Sequence, residues 1–234
     1  MNNNNLFGTH GSSSSWGQSV VMNLIILNVI VFLAQTLLPQ GIGGERMIDL
    51  FGLHFWESAD FRIWQPVTYM FLHGGIEHLF FNMFALWMFG RILEYDMGAK
   101  RFLIFYLICG IGAGLCNLAV NWFEYDRFVR LGYAQFAPQQ LQMWADSVVT
   151  IGASGAVFGV LLAFGMLHPN DRIMLLIPPI PMKAKWFVIV YGVLELFLGV
   201  TQQGSNIAHF AHVGGMLFGF LLLMLWKRTG KIDY

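Results

Sequence analysis

Charge is what this chain has least of. Lys, Arg, Asp and Glu make up 11% of its 234 residues, 13 basic against 13 acidic, where a soluble domain carries about 25%. So few charges cannot cover a surface that faces water on every side, and a net charge of zero gives no electrostatic reason for a nucleic-acid or acidic partner. Cysteine is almost as scarce. Cys109 and Cys116 stand seven residues apart in one apolar stretch. On a helix that is roughly 10 Å of rise, too far for a disulfide, so both read as packing residues. No His-Glu-x-x-His occurs anywhere, which removes a common zinc-hydrolase signature. Residues 1–17 are rich in Asn, Ser and Gly and uncharged. They lack both the basic start of a signal peptide and the Arg-rich amphipathicity of a transit peptide, and read as a disordered tail.

Apolar residues fill the space that charge leaves. They make up 56% of the chain, and mean hydropathy is +0.59, the composition of a polytopic membrane protein. Apolar spans run at about Val20–Leu38, Leu79–Leu93, Phe102–Trp122, Val148–Leu167, Trp186–Val200 and Ile207–Trp226. They predict an all-α membrane protein with six transmembrane helices over residues 18–228 and a short tail at 229–234. The second and fifth fall short of the roughly 20 residues a straight span needs. Extension through Glu77-His78 and Gln202-Gln203, or local bilayer thinning, would make up the difference. Lys and Arg number nine on one set of loops and four on the other, which places both termini in the cytoplasm. The stretch Phe123–Ser147, with Tyr125, Tyr133, Phe136 and Trp144, is expected at the outer lipid interface, where aromatic rings settle.

Within these spans a few polar residues stand out. Helix four carries Gly152-Ala153-Ser154-Gly155 and helix six carries Ala211-His212-Val213-Gly214-Gly215. A potential nucleophile and a potential base are costly in hydrocarbon unless they bond to something. Counted from the span ends, Ser154 lies about six residues inside and His212 about five, both roughly 8–10 Å below the outer surface. Gly155 and Gly159 on helix four, and Gly215 and Gly219 on helix six, form Gly-x-x-x-Gly steps that let two backbones approach closely. His212 shares the face of Gly215 and Gly219, so it is the expected base. His209 is expected to be a partly solvated neighbour, and exchange of their roles stays open on spacing alone. His78 and Asn82 lie four apart on one face of helix two, where both side chains can donate to a developing oxyanion with a backbone N–H near Ser154. No carboxylate is expected beside His212. Glu195, the acid well inside the fifth span, could complete a triad, pair with a Tyr or Ser, or face a wet cleft; it is assigned a structural role, which leaves a Ser–His dyad.

These residues resemble the rhomboid family of intramembrane serine proteases. The resemblance rests on Gly152-x-Ser154-Gly155, Ala211-His212-x-x-Gly215 and His78-x-x-x-Asn82, in the family's order on helices four, six and two, and runs from about Leu53 to Trp226. It implies that Ser154 is the nucleophile and His212 the general base and acid. It also implies an oxyanion site of His78, Asn82 and the Ser154 amide, with Gly152 letting substrate approach and no cofactor. In the family an aromatic ring one turn past the serine packs on the catalytic imidazole, and Phe158 holds that place without a Tyr hydroxyl. Trp64-Gln65 departs from the Trp-Arg pair of many relatives. The implied substrate is a single-span membrane protein cut near the outer end of its helix. The missing transit signal favours a bacterial plasma membrane over an organelle. Helix five, flanked by Gly192 and Gly199, would be a lateral gate; cleavage that persists after cross-linking helices two and five would refute that.

Two rivals are weighed against it. A metal site drawn from His78, His209, His212 and Glu195 leaves Gly-x-Ser-Gly unexplained. A catalytically silent relative that binds or escorts membrane proteins would ordinarily lack the serine or the histidine, and both are present.

Overall fold

The structure, a computed structural model, describes residues 19–39, 41–174, 180–201 and 209–231. The expected tail at 1–17 and the Gln202-Gln203 extension lie outside the described residues. In chain order the elements are α1 (Val20–Leu37), α2 (Gly44–Phe51), β1 (Leu53–His54), α3 (Gln65–Thr68), α4 (Ile76–Ala85), α5 (Arg91–Met97), α6 (Ala99–Arg130), α7 (Tyr133–Phe136), α8 (Pro138–Ser147), β2 (Val149–Thr150), α9 (Ser154–Leu167), β3 (Arg172–Met174), β4 (Pro181–Lys183), α10 (Ala184–Thr201) and α11 (His209–Arg228). The protein is mostly helical. Among the described residues four helices, α1, α6, α10 and α11, are long and apolar enough to cross a membrane.

The short second span is resolved by helix continuity. One π-helical turn over Leu86–Gly90 joins α4 to α5, so helical backbone runs from Ile76 to Met97. Gly98, at φ 81°, turns the chain into α6. At that corner Glu94 caps α1: its carboxylate accepts from the N–H groups of Val20 (2.7 Å) and Val21 (3.0 Å) and from Ser19 Oγ (2.8 Å). A negative charge there satisfies orphan donors at the positive end of the helix dipole.

The fourth span is shorter than its apolar run suggests. Val148–Ala153 is not helical: Val149 and Thr150 pair antiparallel with His54 and Leu53, and the helix begins only at Ser154. Ser154 therefore opens α9 rather than lying six residues inside it. An apolar run of that length does not by itself distinguish strand from helix. Ten of the 14 residues of α9 are buried, because α9 is the central helix, packed between α6 and α11. Its contacts need small residues. A β-carbon on Gly155 would overlap Ala113, one on Gly159 would overlap Cys109, and one on Gly215 would overlap the Gly155 carbonyl. Cys109 is buried in that seam, and both cysteines are free.

At the Ser154 end, the loop between β1 and α3 is organised by Gln65. Fully buried, it accepts from the N–H groups of His54 and Arg62 and donates to the carbonyls of Asp60 (2.7 Å) and Asp49 (3.2 Å). The neutral amide serves because it both donates and accepts. The aromatics expected at a lipid interface divide. Tyr125 and Trp144 pack on buried Phe55 at 5.4 and 5.8 Å between centroids, while Tyr133 and Phe136 stay exposed.

Candidate active site

The segment entering α9 is fastened from three sides. Gly152 N–H donates to the Tyr69 carbonyl (2.9 Å), the Tyr69 hydroxyl donates to the Gly110 carbonyl (2.7 Å), and Asn117 Nδ2 donates to Thr150 Oγ1 (2.7 Å). Gly152 itself sits at φ 122°, a conformation that side chains rarely adopt. Ser154 follows as the first residue of α9, so its N–H is among those with no intrahelical acceptor and lies at the positive end of the dipole.

Across the glycine seam stands α11. Gly215 lies against the Gly155 backbone, and this approach brings His212 Nε2 to 2.8 Å from Ser154 Oγ. On spacing alone His209 and His212 compete for the base; geometry separates them. His212 faces the serine, and its ring is stacked on Phe158, centroids 4.2 Å apart and planes within 4°. His209 turns away toward α10 and is 5% exposed, so it is a buried residue and not the partly solvated neighbour expected.

A second correction concerns the acid. Glu195 Oε2 lies 2.9 Å from His212 Nδ1 and 2.7 Å from His209 Nδ1. A carboxylate therefore does stand beside His212. Sequence position places Glu195 within the fifth span and leaves a triad open to it, but does not say which way its helix turns. Glu195, His209 and His212 form a group whose ligand-capable atoms lie within 4.8 Å of one another. The Oε2–Nδ1 distances of 2.7 and 2.9 Å are hydrogen-bond lengths. Ligands about 2.0–2.1 Å from a tetrahedral zinc would stand about 3.3 Å apart.

On the other flank, α4 supplies His78 and Asn82. A β-carbon built on Gly152 would fall 2.8 Å from His78 Nε2 and 3.8 Å from Ser154 Oγ, so both side chains border the same glycine. Gly74 N–H donates to His78 Nδ1 (3.4 Å), which leaves the ring proton on Nε2, the atom nearest Gly152. Asn82 is buried and spends one amide hydrogen on the His78 carbonyl (3.0 Å); its other hydrogen is uncommitted by that bond. Gly219, one turn beyond Gly215, lies at van der Waals distance from Gly159 and completes the seam.

Residues 60–229 match the family model of the Rhomboid domain. The chain belongs to the rhomboid family. This rhomboid is 34% identical over 151 residues to the mitochondrial Rhomboid protein 1 of Saccharomyces cerevisiae, a match covering 64% of the chain and 38% of that protein. It is 26% identical over 219 residues to the Rhomboid protease AarA of Providencia stuartii, covering 87% and 71%. With the Rhomboid protease GluP of Bacillus subtilis it shares 31% over 157 residues, covering 67% and 25%. The rhomboid thus spans well under half the length of the yeast and Bacillus relatives. With its apolar helices it is a membrane-embedded member of a family whose relatives are named as proteases.

Proposed function

We propose that this rhomboid is an intramembrane serine endopeptidase acting on single-span membrane proteins near the outer membrane face. Ser154 is its nucleophile and His212 its general base and acid. The observation that carries the reading is the 2.8 Å contact between His212 Nε2 and Ser154 Oγ, between two helices whose glycines permit it. The unit is a six-span bundle over residues 18–228, with tails at 1–17 and 229–234 in the cytoplasm of a bacterial cell.

The chemistry follows from the geometry. Ser154 Oγ attacks the scissile carbonyl carbon as its proton passes to His212 Nε2. The carbonyl oxygen takes the negative charge and is met by the Ser154 N–H, His78 Nε2–H and the Asn82 amide. Collapse breaks the C–N bond, Nε2 returns the proton to the leaving amine, and water hydrolyses the acyl-serine by the same steps reversed. Gly152, bare of a side chain, leaves the approach to Oγ open. A helical peptide bond is a poor target because its carbonyl is already hydrogen-bonded, so the substrate must unwind where the bilayer ends.

The test is cleavage of a labelled single-span reporter by purified protein in lipid vesicles. Ser154→Ala and His212→Ala are expected to abolish it. Cleavage by either variant at the parent's rate would end the protease reading.

A further inference from the structure

Glu195 is the least expected charge in the molecule. Its helix, α10, packs on α9 and α11 and otherwise presents apolar side chains outward, among them Val193, Leu194, Leu196 and Phe197 around the acid itself. Yet Glu195 is turned inward and 6% exposed. A buried carboxylate in such a helix is expensive unless it is paired. Its partners are two imidazoles on the neighbouring helix, both bonded through Nδ1 to the same oxygen. Gly199, one turn along α10, makes room for this by admitting the His209 β-carbon and the Phe210 ring.

We infer that Glu195 is a positioning residue for His212, holding its ring in the tautomer and orientation that let Nε2 take the serine proton. The inference rests on the reading of Ser154 and His212 given above. An ionised carboxylate has no hydrogen to give, so each Nδ1 must donate. With its hydrogen on Nδ1, neutral His212 has a lone pair on Nε2, the atom facing Ser154 Oγ. His209 adds a second bond to Oε2 and keeps the carboxylate from rotating away. When the serine proton arrives, the adjacent negative charge stabilises the imidazolium. The arrangement is Ser–His–Glu, with the acid delivered from a third helix. The titratable groups around the carboxylate are His209 and His212 from α11 and Tyr191, one turn back on α10.

The experiment compares wild type, Glu195→Gln, Glu195→Asp and Ser154→Ala in vesicles, reading kcat and KM across pH 5–9 and the rate at which a fluorophosphonate labels Ser154. Glu195→Gln is expected to lower kcat and the labelling rate about a hundredfold with KM nearly unchanged. Glu195→Asp keeps the charge and should recover part of the rate. Wild-type kcat and labelling in Glu195→Gln, with Ser154→Ala inactive, would overturn the positioning role and leave the protease reading standing. Cleavage by Ser154→Ala would instead remove the protease reading. A measurement on unmutated side chains guards against misfolding: 15N spectra of histidine-labelled wild type, assigned with His212→Gln, should show residue 212 protonated on Nδ1. A ring protonated on Nε2 alone overturns the inference.

Discussion

The rings of Phe158 and His212 lie face to face, centroids 4.2 Å apart and planes within 4°. Phe158 stands one turn after Ser154, so a single helix supplies both the hydroxyl and the surface on which the imidazole rests. Tyr191 of α10 stacks on the far face of Phe158 at 5.1 Å. The imidazole is thus held by contact with Phe158, by the hydrogen bond between Nδ1 and Glu195 and by the one Nε2 accepts from the Ser154 hydroxyl.

Phe158→Leu keeps an apolar side chain of moderate size but removes the flat face. Aromatic stacking contributes about 0.5–1.5 kcal/mol beyond area burial, which predicts a twofold to roughly tenfold fall in kcat with little change in KM. Steady-state cleavage in vesicles reads this directly. A rate equal to wild type would mean that the stack does not orient the ring.

Gly152→Ala meets two obstacles at once. Its φ of 122° is strained for any side chain, at a cost of order 1–3 kcal/mol, and the new methyl would come within 2.7 Å of His78 Cε1. Relief requires His78 to move from the place proposed for the oxyanion, where losing one donor costs about 10²–10³ in kcat. The variant should lower the thermal midpoint and kcat together. Gly74→Ala, whose β-carbon would make only ordinary contacts, should leave kcat within about threefold.

His73, in the loop before α4, is 2% exposed. Burial first, and neighbouring His78 second, lower its pKa from 6.5 to about 4, against a smaller opposing effect of the Phe71 backbone. A base with a depressed folded pKa binds fewer protons when folded than when unfolded between those two values. Stability contributed by the neutral ring is therefore complete above about pH 6.5, declines as pH falls toward 4, and is gone below that. The expected decline is on the order of 2–3 kcal/mol. Thermal midpoints measured from pH 7.5 to 4 should fall less steeply in His73→Gln than in wild type; parallel curves would assign the acid sensitivity to other groups.

Much of the site was legible because its residues are chemically conspicuous where they stand. Ser154, His212, His78 and Asn82 are polar groups in apolar surroundings, and the glycines at 155, 159, 215 and 219 mark where two helices touch. Glu195 was visible for the same reason, but its partner was not. A mostly apolar helix carries no stripe to say which side faces inward, and α10 turns its acid toward α11 in packing on α9 and α11. Nearness to a span end places His209 near solvent, whereas in the structure it is buried and bonded to that same acid.

Composition alone required a membrane-embedded helical chain, since 11% charge cannot solvate such a surface, and spacing along each helix set which residues share a face. Those are local properties, written in covalent order. Where α9 begins, which imidazole meets the serine and which acid meets the imidazole were decided only when the chain packed. The start of α9 depends on the pairing of β2 with β1, and the two contacts depend on the rotation and offset of one helix against another, between side chains 58 and 17 residues apart in the chain.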